Sequence, residues 1–229
     1  MKILIAEDDR FIREGLNELL ESEGYATIPA SDGEEALQLY NKEKPDFILL
    51  DIMMPKQDGY ALCREIRKVN AEVPIIFISA KSEEIDRVVG LELGADDYIM
   101  KPFGSREVIA RIRAVTRRCL ARAGGDTASQ SVLNFFDLEV FPDELRARRG
   151  EIRTDLSLRD VKILELLHAN KGKIVDRNTI FDHCWGQNYL PSSRTLDQHI
   201  SKLRKLIEID PHQPLIIKTV HGVGYRYDG

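Results

Sequence analysis

Along the first half of the chain, short apolar runs alternate with stretches whose apolar positions recur every three to four residues. Five runs have strand character: Lys2 to Ala6, Ala26 to Pro29, Asp46 to Leu50, Pro74 to Ile78 and Asp97 to Met100. Between them, amphipathic helical patterns run near 10–22, 33–43, 58–69, 83–93 and 105–121. Uninterrupted apolar strands joined by helical crossovers of about 10–15 residues predict an α/β doubly wound parallel sheet, covered on both faces. Asp32 before Glu34 and Glu35, and Ser82 before Glu83 and Glu84, each set a capping oxygen ahead of an acidic first turn.

Residues 121–131 lose this periodicity and become small and polar, which is linker composition. They separate a first domain, 1–120, from a second, 132–229. The second domain opens with alternating strand patterns, Leu133 to Val140 and Arg146 to Arg153, followed by helical stretches near 157–169, 177–184 and 193–208. Ser157 and Asp160 are spaced as a capping box. The tail reads as a strand from Leu215 to Thr219, a glycine turn, and a strand from Tyr225 to Tyr227.

Composition narrows the class. The 229 residues are 43% hydrophobic and 31% charged, a globular balance, and the longest apolar runs are far too short to span a bilayer. No membrane partner is expected. The N-terminus turns acidic after five residues and lacks the apolar stretch of a signal peptide, so cytoplasmic residence is expected. Cys63, Cys119 and Cys184 stand singly, encoding neither a disulfide framework nor a zinc site. Residues 1–123 carry 18 basic against 23 acidic side chains, whereas the remainder carries 15 of each. Any nucleic-acid surface must therefore be local rather than a property of bulk charge.

The chemistry gathers at strand ends. In a doubly wound sheet the carboxyl ends of the strands open into one crevice. Here those ends carry Glu7-Asp8-Asp9, Asp51, Ser79-Ala80-Lys81 and Lys101-Pro102. Converging carboxylates repel unless a cation sits among them, and Mg2+ suits a few carboxylates, a carbonyl and several waters. A carboxylate nucleophile, a divalent metal, a lysine and a hydroxyl together suit phosphoryl transfer onto Asp51. In the second half, Leu196, Ile200, Leu203 and Ile207 form a core stripe, and Arg194, Gln198, Ser201, Lys202 and Lys205 lie opposite, with His199 and Arg204 on the flanks. A basic face of this kind followed by a hairpin suits a DNA major groove.

These residues carry a family resemblance. Ile-Ala-Glu-Asp-Asp at 5–9, Leu-Leu-Asp-Ile-Met-Met-Pro at 49–55, Ile-Ser-Ala-Lys at 78–81 and Gly-Ala-Asp-Asp-Tyr-Ile-Met-Lys-Pro-Phe at 94–103 resemble a response-regulator receiver. Ser-Arg-Thr-Leu-Asp-Gln-His-Ile-Ser-Lys-Leu-Arg-Lys at 193–205, Cys-Trp-Gly at 184–186 and Thr-Val-His-Gly-Val-Gly-Tyr-Arg at 219–226 resemble the winged-helix effector of the OmpR/PhoB subfamily. The resemblance implies a five-stranded (βα)5 receiver of order 2-1-3-4-5, followed by an α+β winged helix-turn-helix domain. It implies a transcription regulator rather than an enzyme, phosphorylated on Asp51 by a sensor histidine kinase.

By position it implies Mg2+ or Mn2+ held by Asp8, Asp51 and the Met53 carbonyl, with Glu7 assisting. Lys101 and Ser79 would contact the phosphoryl group, Tyr98 would be the switch residue, and the Lys101–Pro102 bond would be cis. It implies a phosphorylation-dependent homodimer through Arg87, Asp96, Asp97, Glu107, Arg111 and Arg118 around Val88, Leu91 and Ile109. It implies phosphate contacts from Arg177, Arg194 and Thr195, base contacts from Gln198 and Lys202, and an RNA polymerase contact at 186–192. His221 replaces a wing arginine, Ser79 a commoner threonine, and Lys56-Gln57 a smaller, apolar pair. An aspartyl-phosphate phosphatase using the same pocket, and a protein-binding winged helix, are the competing readings. The first would want an acid at Met53.

Overall fold

The computed structural model describes residues 1–80, 84–123, 132–185 and 193–229, without the side chains of 84–87, 120–123 and 193–194. The chain divides into two compact units, Met1–Asp126 and Thr127–Gly229.

The first unit alternates β1 (Lys2–Ala6), α1 (Arg10–Ser22), β2 (Ala26–Ala30), α2 (Gly33–Glu43), β3 (Phe47–Asp51), α3 (Gly59–Val69), β4 (Ile75–Ser79), α4 (Glu84–Glu92), β5 (Asp97–Met100) and α5 (Ser105–Ala123). The strands pair in parallel in the order β2-β1-β3-β4-β5. Alternate side chains serve opposite faces of the sheet. Leu4, Ala6, Ile48, Leu50, Ile75 and Phe77 join Ala36 and Tyr40 of α2 and Leu62, Cys63 and Ile66 of α3 in one core. Ile3, Ile5, Phe47, Leu49, Ile76 and Ile78, equally buried, point the other way. Asp9, Asp32 and Asp58 cap α1, α2 and α3 through backbone N–H groups at 2.7–3.1 Å. The cap expected at Ser82 lies outside the described residues.

The second unit begins with an antiparallel meander, β6 (Leu133–Phe135), β7 (Leu138–Phe141), β8 (Arg146–Arg149) and β9 (Ile152–Asp155). The sequence pattern predicts two strands here. Each is broken into a hairpin because Phe136 and Gly150 adopt left-handed backbone, with φ of 56° and 57°. α6 (Leu158–Ala169) starts at the Ser157–Asp160 capping box, with both reciprocal bonds made. It is followed by β10 (Ile174–Asp176), α7 (Arg177–Trp185), α8 (Ser193–Ile207), β11 (Lys218–Val220) and β12 (Gly224–Arg226). The last three strands form a small antiparallel sheet of order β10-β12-β11. Periodicity does not reveal the three-residue β10. It fits because Gly224 has no side chain: a Cβ there would lie 2.0 Å from the Val175 carbonyl oxygen.

The tail strand predicted from Leu215 begins instead at Lys218. The reason is Glu208, a buried carboxylate just past α8. It accepts the backbone N–H groups of Leu215, Ile216 and Ile217 at 2.8–3.1 Å, which removes them from any ladder. No described helix is long and apolar enough to cross a membrane.

Glu208→Ala should strand three backbone donors, two of them buried, and lower the stability of the second unit by about 2–4 kcal/mol. The single tryptophan, Trp185, lies in that unit, so urea unfolding followed by its fluorescence reads the effect directly. An unchanged midpoint would show that water replaces the carboxylate.

Candidate functional site

The acidic pocket assembles where the sheet topology requires. β1 ends at Glu7 and Asp8, and the neighbouring β3 ends at Asp51; carboxylate oxygens of all three lie within 4.8 Å of one another. Glu7 and Asp51 are 1% and 3% exposed, and Asp8 is exposed. Two other strand ends complete the pocket. Lys101, after β5, donates from Nζ to Asp51 Oδ2 at 2.5 Å and to Glu7 Oε1 at 2.8 Å. Its backbone N–H bonds the carbonyl of Ser79, whose side chain is fully buried at the end of β4. The Lys101–Pro102 peptide is cis, as the resemblance implies.

Neighbouring backbone groups hold this cluster in place. Asp51 Oδ1 accepts the Met53 N–H at 3.0 Å, so the chain turns back over its own carboxylate. Gly59 packs against the Asp51 carbonyl, where a Cβ would come within 2.2 Å. Arg13, one turn into α1, donates to the carbonyls of Glu7 and Asp8 at 2.5 and 3.1 Å and fixes the acidic loop from behind. Spacing alone does not single out this arginine. Lys56, one of the departures from the family pattern, adopts φ of 64° and reaches Asp32 Oδ2 at 2.6 Å. Its polar bulk is tied to the cap of α2 rather than left over the pocket.

One ammonium does not balance three carboxylates. Burial, with Asp51 nearby, pushes Glu7 up to about 7 despite the opposing hydrogen bond from Lys101. Lys101 is raised as well: burial opposes its charge, and its bonds to Asp51 and Glu7 prevail. Glu7 Oε2 is buried and accepts no hydrogen bond, although Nζ stands 2.8 Å away off its axis. Hard oxygen donors with an uncompensated charge and an open lone pair fit a small divalent cation.

In the second unit, α8 sorts its side chains by angle. Leu196, Ile200, Leu203 and Ile207 are buried, and Gln198, Ser201, Lys202 and Lys205 are exposed, with Thr195 between. The flanks face protein rather than solvent, which corrects the expectation of a basic face extending to both. His199 Nε2 meets Asp160 Oδ1 at 2.9 Å and sets its ring edge-to-face on Trp185. Burial opposes the Asp160 charge, but His199 and Ser157 bond it and hold its pKa below the usual carboxylate range. Arg204 is spent on the Ile217 carbonyl, at 2.5 and 3.0 Å, and on Thr219 Oγ1 at 2.7 Å. Trp185 packs against the core, under the Arg159 guanidinium. His221 is exposed in the turn between β11 and β12. Arg177, opening α7, pairs with Asp197 at 2.5 Å. The side chain of Arg194 and the segment 186–192 lie outside the described residues.

Both halves match known families. Residues 3–113 match the response regulator receiver domain, and residues 151–227 match the C-terminal domain of transcriptional regulatory proteins. The chain is 40% identical to the alkaline phosphatase synthesis transcriptional regulatory protein PhoP of Bacillus subtilis, over 99% of this chain and 96% of that protein. It belongs to the OmpR/PhoB subfamily of response regulators. The crystal structure of DrrB, a Thermotoga maritima OmpR/PhoB homologue, is 32% identical over 100% of this chain and 99% of that one, with a TM-score of 0.46. A two-component response regulator of Clostridium difficile is 33% identical over 52% of this chain and 97% of its own, with a TM-score of 0.50. The first unit is therefore a receiver and the second a DNA-binding effector.

On the receiver, the charged residues expected at a dimer face are bonded within the chain. Arg111 spans Asp97 at 3.1 Å and Glu107 at 2.9–3.0 Å. Asp96 Oδ2 accepts the Ile75 N–H and lies 3.4 Å from Arg67, while Arg118 reaches the Asp96 carbonyl. Val88 and Leu91 are about half exposed, at 47% and 48%. Ile109 is not part of that apolar patch: at 7% exposure it belongs to the buried stripe of α5 with Val108 and Ile112. The side chain of Arg87 lies outside the described residues. Tyr98 is buried in the core beneath Gly90 of α4.

The raised Glu7 pKa has a consequence for stability. Between its ordinary 4.5 and about 7, the folded receiver holds more protons than the unfolded chain. In EDTA, stability should therefore fall as pH rises through that window, by at most about 1.4 kcal/mol per unit. Saturating Mg2+ or the substitution Glu7→Gln should flatten the slope. Calorimetry of the receiver transition at pH 5, 6 and 7 measures it, and a flat profile in EDTA would mean that Glu7 is already ionised throughout.

Proposed function

We propose that this chain is a phosphorylation-controlled transcription factor: a sensor histidine kinase transfers a phosphoryl group to Asp51, the receiver dimerises, and the effector binds repeated sites in promoter DNA. Residues 1–120 act as the receiver, 121–131 as the linker and 132–229 as the effector. The observation that carries the reading is Lys101 bridging Asp51 and Glu7 at 2.5 and 2.8 Å in a pocket of three carboxylates.

Asp51 attacks the phosphorus of a phosphohistidine through a carboxylate oxygen. An O–P bond forms, the N–P bond breaks, and the imidazole leaves. Asp8, Asp51 and the Met53 carbonyl, with Glu7 assisting, hold Mg2+ or Mn2+, which supplies positive charge to the phosphoryl oxygens when bound. Lys101 gives up part of its bond to Asp51 and follows the charge onto the phosphoryl group. Ser79 supplies a hydroxyl from the end of β4, and Tyr98, on the neighbouring β5, responds to its movement. Beside Lys101, Ile12, Gly15, Leu16 and Leu19 of α1, with Pro102 and Phe103, line an apolar cavity of about 510 Å³ suited to a kinase helix.

Dimerisation then exchanges partners. Arg111, Asp97, Glu107, Asp96 and Arg118 trade intrachain for interchain pairs at little net electrostatic change, Arg87 joins them, and burial of Val88 and Leu91 favours association. On DNA, Arg177, Arg194 and Thr195 meet phosphate, Gln198 and Lys202 read base edges, and Ser201 and Lys205 line the groove. RNA polymerase contacts the loop at 186–192. His221 offers the minor groove neither the fixed charge nor the five donors of arginine, so specificity leans on Gln198 and Lys202.

Two measurements test this. Acetyl phosphate with Mg2+ should add one phosphoryl group to the wild type and none to Asp51→Asn by intact-mass spectrometry; a full-yield product in the variant would remove Asp51 from its role. Arg111→Glu should accept the phosphoryl group normally yet sediment as a monomer, and an undiminished phospho-dimer would exclude the α4–α5 face.

A further inference from the structure

Asp197 is an acid on the DNA-facing side of a basic helix. It lies about 40° from Ser201 around α8, on the flank that looks toward β12, and its side chain is 48% exposed. Two donors converge on a single oxygen, Oδ1. Arg177 Nη1 approaches from the start of α7 at 2.5 Å, and the Tyr225 hydroxyl approaches from β12. The Arg177 guanidinium also lies over the Tyr225 ring, 5.3 Å from its centroid. Arg204 approaches the same ring at 5.8 Å, but its own donors are spent on Ile217 and Thr219.

A guanidinium and a hydroxyl aimed at one anionic oxygen make a seat for a phosphate oxygen as well as for a carboxylate. Tyr225 keeps its proton and so always donates: burial and the Asp197 charge push it up to about 12. Asp197 stays ionised, because the Tyr225 and Arg177 bonds outweigh its partial burial. The pair Arg177–Asp197 is therefore neutral on a surface whose other exposed residues, Gln198, Ser201, Lys202 and Lys205, carry no negative charge.

We propose that Asp197 is a built-in stand-in for DNA phosphate: its carboxylate occupies the seat formed by Arg177 and Tyr225 and masks Arg177 until the recognition helix is held in the groove by base contacts. Asp197 thereby weakens binding to any duplex, and more so where only backbone contacts are available. It is a positioning and specificity-determining residue, acting through Arg177. The proposal rests on the reading of α8 as the DNA-contacting helix.

The test uses the full-length protein and a random-sequence 30-base-pair duplex across a salt series. Asp197→Asn keeps the size of the side chain and an acceptor for Tyr225 while removing the charge. It should tighten binding about three- to fivefold near 0.1 M salt and steepen the slope of log K against log[salt] by about 0.9, the increment for one more phosphate contact. In an Arg177→Ala background that gain should vanish, because no masked guanidinium remains to be released. Trp185 fluorescence verifies that each variant is folded, and Asp197→Ala should move in the same direction. Weaker binding by Asp197→Asn would overturn the proposal by showing that the carboxylate presents Arg177 to DNA. A gain that survives in the Arg177→Ala background would overturn it too, as a general charge effect. Failure of the wild type to bind, or indifference to Lys202→Ala, would instead overturn the DNA-contacting reading of α8, and the proposal with it.

Discussion

The ammonium of Lys101 between Asp51 and Glu7 is the interaction on which the receiver depends. Without a cation there, two buried carboxylates at the ends of adjacent parallel strands would repel across a low-dielectric gap, and the strand order that brings them together would be penalised. The lysine comes from the end of β5, two strands from Asp51 in the sheet, so its reach ties the outer strand to the centre. Its backbone N–H also holds Ser79 on the intervening β4. Three strand ends besides its own are thus bound by one residue, and any change in charge at Asp51 alters the bonds available to that residue. This makes the pocket suited to signalling as well as to chemistry: the group that receives the phosphoryl charge shares a cation with groups that shape the sheet edge.

The effector solves the same electrostatic problem with different partners. Glu208 and Asp160 are buried acids held by donors in fixed places: three backbone N–H groups for Glu208, and a capping serine plus His199 for Asp160. Glu208 shapes the approach to the wing, and Asp160 ties α6 to α8. Asp197 makes a third such cluster, but at the surface. There a carboxylate bonded by Arg177 and Tyr225 is exchangeable, whereas the buried pair are structural. Burial decides between these roles, because an anion arriving from solvent can compete only where the carboxylate and at least one donor, here Arg177, are reachable; Tyr225 itself is buried.

Much of this was legible in the residue pattern. Apolar runs alternating with 3.6-residue periodicity specify a parallel sheet with crossover helices, and in that architecture residues after the strands converge on one edge. Glu7, Asp8, Asp51, Ser79 and Lys101 can therefore be grouped without coordinates, and the helix stripe at 196, 200, 203 and 207 separates a core face from a wet one. What pattern leaves undivided is the labour within a cluster. Three consecutive acids follow β1, and their chemistry in sequence is nearly equivalent. In the fold Glu7 is buried against Lys101, Asp8 stands exposed at the mouth, and Asp9 turns away to cap α1.

The same division holds for the basic residues of α8. Helical angle alone assigns His199 and Arg204 to the margins of a DNA-facing surface; only the packing of α6 and of the wing shows that both point into protein. Local sequence determined most of the elements, the caps at Asp32 and Ser157, and the convergence of the acidic pocket, because these follow from periodicity, from hydrogen bonding across three residues, and from the geometry of parallel strands. Tertiary structure alone decided that Glu208 ends a predicted strand, that Ile109 is core, and that Arg177 is masked by Asp197. Each of these depends on a donor and an acceptor separated by many residues in the chain, or on a side chain whose burial is set by a distant element, and no local pattern encodes that distance.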